Sequence, residues 1–148
     1  RAHNRSGAKM TNSRNPAAAA LLLRVALGTM FVAHALLKYF VFTLPGTAQF
    51  FESLGLPGAL GYVTFAAELV GGVLLIAGVH VRAVSLALVP VLLGAAWAHA
   101  GNGWLFSSPK GGWEYPAFWT VTLVVQALLG DGAFALRPSS RRAVLQTA

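Results

Sequence analysis

Two polar side chains interrupt an otherwise apolar run. In FVAHALLKYF, His34 and Lys38 are four residues apart, which puts them on one face of a helix. A neutral imidazole can donate to a carbonyl and relay a proton, and an ammonium can hold an anion or steady a charge developing on oxygen. The pair suits a redox-active carbonyl compound such as a quinone. His99 closes a later apolar run, and the stretch HAGNGWLFSSPKGGWEYP that it opens adds Asn102, Trp104, Trp113, Glu114 and Tyr115. His34, Lys38 and His99 are the candidate catalytic groups. His34 and Lys38 with Asn102, Trp104, Trp113, Glu114 and Tyr115 are the candidate lining of a ligand pocket.

Singly, most of these residues have plainer uses. Lys38 could anchor a helix at an interface, His99 could be a boundary residue, and the tryptophans, Trp97 and Trp119 included, could form an aromatic belt. An aromatic, glycine-rich loop could instead fold over the helices as a lid. Two histidines on different helices could also ligate b-type haem, a spacing that a sequence does not display. There is no cysteine, so the chain brings no disulfide, thiol nucleophile, iron–sulfur ligand or covalent haem attachment. No phosphate loop, Ser–His–Asp set or metal-binding cluster appears. Nothing in the chain takes up electrons, so redox chemistry needs a bound quinone or a partner protein.

The solvent around these residues follows from composition. Of 148 residues, 56% are hydrophobic and only 10% charged, and the mean hydropathy is +0.64. An ordinary globular domain has about 25% charged residues. The apolar residues fall in four blocks, Ala17–Leu44, Pro57–Val79, Ala83–Ala98 and Pro116–Leu136. Each is near the ~20 residues that cross ~30 Å of hydrocarbon. The expected fold is an all-α integral membrane four-helix bundle over residues 17–136.

The net charge of +7 does not call for nucleic acid, because its distribution explains it. Arg1, Arg5, Lys9 and Arg14 precede the first block, Arg82 is alone between the second and third, and Arg137, Arg141 and Arg142 follow the fourth. The other two connections are nearly neutral. This positive-inside pattern puts both termini in the cytoplasm. Residues 1–16 read as a disordered basic segment, with 1–9 ahead of Met10 as an expression remnant, and 137–148 as a basic cytoplasmic tail. The first block is too long for a cleaved signal peptide.

In the first outer loop, a short amphipathic helix is expected after Thr47 as N-cap, ended by Gly55 and Pro57. Ala67 and Gly71, then Gly94 and Ala98, have the small-xxx-small spacing of close helix contacts, and Pro90 predicts a kink. Helix rise puts Arg24 roughly 10 Å from the cytoplasmic edge and Glu68 roughly 16 Å from the outer one. That pairs Arg24 with Glu68 as a structural ion pair, with snorkelling of Arg24 as the alternative. By the same rise, His34 lies roughly 25 Å up the first helix, in the outer half with Lys38 and His99.

LLLRVALGTMFVAHALLKYF, AQFFESLGLPG, AAELVGGVLLIAG and HAGNGWLF…GGWEYP together resemble the DoxX family of small bacterial membrane proteins, over about residues 20–136. Matching positions are Arg24, Gly28, His34, Lys38, Glu68, Gly71, Gly72, Asn102, Gly103, Glu114, Tyr115 and Pro116; Ala35 stands where the family commonly has glycine. The resemblance implies a multi-pass protein of the bacterial plasma membrane, related to subunits linked to terminal quinol oxidases and to thiosulfate:quinone oxidoreductase activity. The expected function is a membrane component of a quinone-linked oxidoreductase system, binding quinone and a small sulfur-containing anion such as thiosulfate. Expected partners are lipid and a protein partner or further copies of the chain. The alternatives are a non-catalytic anchor, carrier or assembly factor, and a small-solute transporter built by oligomerisation.

Overall fold

The computed structural model describes residues 14–139. Most of the expected N-terminal segment and C-terminal tail therefore lies outside the described residues. Five α-helices follow in order: α1 (Arg14–Phe40), α2 (Leu44–Ser53), α3 (Ala59–Ala77), α4 (Val81–His99) and α5 (Glu114–Leu129). Among the described residues there is no strand, only an isolated bridge between Val79 and Arg137.

α1, α3 and α4 are long and apolar enough to cross a membrane. α5 has 16 residues, or about 24 Å of helix. The expected run of helix to Leu136 stops early because Gly130 and Gly132 have φ of +85° and +71°, a region that glycine enters without steric cost. Gln126, fully buried, donates from Nε2 to the Gly130 carbonyl at 2.8 Å and closes that end.

The four longer helices pack in a ring, α1 on α3, α3 on α4, α4 on α5 and α5 back on α1, so α1 and α4 stand diagonally. Leu27, Phe31, Leu75, Val81, Leu88, Leu92, Trp119 and Leu123 fill the centre. Outside the ring the surface is apolar as well: Leu22, Val63, Val73, Leu86, Leu93 and Leu128 are all exposed. Water would penalise that much contiguous hydrocarbon, whereas lipid solvates it. The chain is a multi-pass membrane protein.

Glycines set the helix spacing. A Cβ on Gly28 would come within 2.6 Å of the Gly72 carbonyl, and one on Gly71 within 2.8 Å of Leu88. Gly72 thus admits α1 on one side of α3, while Gly71 admits α4 on the other. Gly94, expected at a close contact, meets nothing within 4 Å. α4 runs as one helix past Pro90. α2 is capped by Thr43, whose Oγ1 accepts from the Gly46 amide at 3.1 Å. Thr47, the expected cap, is instead buried one turn on and donates to the Thr43 carbonyl at 2.9 Å.

Candidate functional site

Contacts along α1 and α3 run in opposite order, Arg24 against Leu75 and Ile76, Gly28 against Gly72, Lys38 against Glu68. The helices are antiparallel, and this register decides the polar pairing. Lys38 Nζ donates to both carboxylate oxygens of Glu68, at 2.9 and 2.7 Å. The two side chains are only 17% and 6% exposed. The partner of Glu68 is therefore Lys38 and not Arg24.

Arg24 is buried at the opposite end of the bundle. Its guanidinium donates to the carbonyls of Leu75 at 3.3 Å and Ile76 at 3.2 Å, in the last turn of α3, and to Ala133 at 2.8 Å. A cation there satisfies C-terminal carbonyls and opposes the helix dipole. The depth estimate failed because it aligned the ends of the first two apolar blocks. In the structure α3 ends at Ala77, level with Arg24, and the start of α1 runs on beyond it. There Ala17 accepts from the Ala133 amide at 3.0 Å. Glu68 is seven to eight residues from those carbonyls, about 11 Å along the helix.

One turn from Lys38, His34 Nδ1 is 2.9 Å from the Met30 carbonyl. A carbonyl has no proton to give, so Nδ1 carries the hydrogen and Nε2 is the ring's remaining polar atom. The ring packs on α5, edge-on to Trp119 at 4.9 Å between centroids and stacked with Tyr115 at 6.2 Å. Trp119 is itself fixed by Phe31 at 4.5 Å. It is buried, and its Nε1 has no hydrogen-bond partner.

The connection between α4 and α5 is stitched internally. Asn102 Nδ2 donates to the carbonyls of Gly111 at 2.9 Å and Lys110 at 3.2 Å, and lies 3.3 Å from His99 Nδ1. Glu114, in the first turn of α5, accepts from the Phe106 amide at 2.9 Å. Trp104 and Trp113 meet edge to face at 4.4 Å. This loop and the outward face of α5 enclose an open cleft of about 510 Å³, lined by Trp104, Phe106, Glu114, Tyr115, Ala117, Phe118 and Val121.

Of the expected pocket residues, Trp104, Glu114 and Tyr115 line this cleft. His34 lies behind it, against Tyr115 and Trp119, and Lys38 is engaged by Glu68 on α3. Asn102 and Trp113 build the loop, and His99 stands by Asn102 and Gly111 at the end of α4. No hydrogen bond, ion pair or ring contact joins His99 to His34 or Lys38 among the described residues. Phe106, Ala117, Phe118 and Val121 were missed. For the last three a signal existed, since Glu114, Ala117, Phe118 and Val121 follow the i, i+3, i+4, i+7 spacing of one helix face.

The model of the DoxX family matches residues 19–101, more than half of the chain. The chain belongs to the DoxX family. The match takes in Arg24, His34, Lys38, Glu68 and His99, whereas all seven residues that line the cleft of this DoxX chain lie beyond it. The Bacillus subtilis (strain 168) protein named "Putative oxidoreductase CatD" is 37% identical over 118 residues, covering 80% of this chain and 84% of that relative. No solved structure matches.

Proposed function

We propose that this DoxX-family protein is a membrane component of a quinone-linked oxidoreductase system, with the quinone ring in the cleft between the α4–α5 loop and α5. The observation that carries this reading is the position of Tyr115. It lines the open cleft and stacks on His34, joining a ligand-sized space to the buried polar groups behind it. The oxidoreductase name of the Bacillus subtilis relative supports the same class of chemistry. Aromatic walls with one polar edge suit a planar ring.

A bound quinone supplies an acceptor for two electrons and two protons. The chain's part is to place and protonate it. The Tyr115 hydroxyl donates at the cleft, and His34 exchanges a proton through Nε2 while Met30 holds Nδ1. The Lys38–Glu68 pair keeps a balanced charge beneath. A small sulfur-containing anion such as thiosulfate is our candidate electron donor, approaching at the rim where His99 and Lys110 stand. In this reading α5 is the fourth span, its ~24 Å completed by local thinning of the bilayer. The basic ends and Arg82 face the cytoplasm of a bacterial plasma membrane. A protein partner delivers or removes electrons.

Binding of a quinone analogue to the purified protein tests this, read by quenching of tryptophan fluorescence because Trp104 lines the cleft. We expect weaker binding by His34→Ala and Tyr115→Phe. Equal affinity in wild type and both variants would remove the assignment.

One observation favours a second reading. Lys38, a candidate catalytic group, is engaged by Glu68 on both carboxylate oxygens. A helix clamp of that kind suits an anchor or assembly factor. It predicts a co-purifying partner and no quinone reduction by the chain alone.

A further inference from the structure

A second cleft, of about 430 Å³, opens at the Arg24 end of the bundle, lined by His80, Leu136, Arg137 and Pro138. Its walls are held by the backbone. The His80 amide donates to the Arg137 carbonyl at 3.0 Å, and the Arg137 amide to the Gly78 carbonyl at 3.1 Å. The Leu136 amide donates to the Ala77 carbonyl at 3.2 Å. The turn between α3 and α4 and the segment after α5 therefore form one fixed platform.

Among the described residues, no carboxylate lines the cleft. Arg137 and His80 are in the wall, and Arg82 follows in the first turn of α4, which contains no acidic residue. All three are exposed, and none has an ion-pair partner among the described residues. Asp131, the carboxylate of the same segment, accepts from the amide and hydroxyl of Ser139, both at 2.8 Å. Leu136, in the cleft wall, is 73% exposed, and Phe134, two residues before it in the same segment, is 87% exposed. The turn joins two helices that are each long enough to cross a membrane, so the cleft lies where hydrocarbon gives way to headgroups.

We propose that this cleft binds the headgroup of an anionic phospholipid, with Arg137 and His80 on the phosphate and Phe134 and Leu136 against the acyl chains. A guanidinium offers a phosphate two parallel hydrogen bonds, and basic pockets at helix ends are suited to anionic headgroups. A free phosphate would use the cations but leave both apolar side chains in water, so the lipid is the better fit. The site is at the other end of the bundle from the aromatic cleft and does not depend on the redox reading.

The test is native mass spectrometry of the full chain in detergent, titrated with phosphatidylglycerol, phosphatidylcholine or inorganic phosphate. Phosphatidylglycerol is expected to bind at least tenfold more tightly than phosphatidylcholine, and inorganic phosphate is expected not to displace it. Arg137→Gln should weaken that binding about fivefold, His80→Asn should weaken it less, and Arg137→Lys should retain most of it. Asparagine is chosen because His80 has φ of +47°, which that residue tolerates. Lys110→Gln removes a cation at the opposite end and should leave phosphatidylglycerol binding at wild-type strength. Equal weakening by Lys110→Gln, or no effect of Arg137→Gln, would overturn the proposal. Displacement by inorganic phosphate would overturn it in favour of a free-anion site.

Discussion

Lys38 on α1 and Glu68 on α3 are joined through both carboxylate oxygens, at 2.7 and 2.9 Å, with little of either side chain exposed. Two charges in apolar surroundings are tolerable only while each neutralises the other. Replacing Lys38 with Met should therefore cost about 3–5 kcal/mol by stranding the carboxylate. Adding Glu68→Gln to Lys38→Met should restore much of the loss. Thermal unfolding in detergent of the two single variants and the double reads this out, and additive losses would show that the residues are not coupled.

Arg24 holds the other end by three carbonyls. Arg24→Lys keeps the charge but loses the planar fork, and is expected to cost about 1–3 kcal/mol. Gly78 has φ of +71°, and a Cβ there would run into the Arg24 guanidinium. Gly78→Ala should thus destabilise the wild type more than it destabilises Arg24→Lys. The same unfolding assay decides it, and equal losses in both backgrounds would dissociate Gly78 from Arg24.

Gly28 and Gly72 bring the α1 and α3 backbones together. Gly28→Ala should cost about 1–3 kcal/mol through overpacking. Because it pushes the helices apart, it should also reduce the coupling between Lys38 and Glu68 in a double-mutant cycle. Gly94→Ala is the control. With nothing within 4 Å of the added methyl, it should be neutral or stabilise by up to ~1 kcal/mol.

How far the sequence reaches is visible in these residues. The apolar blocks, the buried charges and the family motifs were legible because composition and spacing are local. The partner of Glu68 was not, because pairing depends on how far one helix slides past another. A shift of about 11 Å moved Glu68 from Arg24 to Lys38. The end of α5 was missed because Gly130 and Asp131 sit in an apolar block whose composition resembles helix. The cleft was half legible: the loop aromatics stand out by type, while Ala117, Phe118 and Val121 are ordinary residues of an apolar block.

His34 offers the sharpest test of the proposed site, because its two nitrogens have different tasks. Nδ1 donates to the Met30 carbonyl within α1, so Nε2 is an acceptor until it takes up a proton, after which it can donate to a quinone oxygen. An asparagine amide reaches about as far as Nδ1, and a glutamine amide about as far as Nε2. His34→Asn should therefore keep thermal stability near wild type yet bind a quinone analogue about five- to tenfold more weakly, the loss of one hydrogen bond. His34→Gln should show the reverse, lower stability with affinity closer to wild type. If stability and affinity fall together in both variants, His34 serves only as a packing residue between Tyr115 and Trp119, and the clamp reading of Lys38 and Glu68 extends to it.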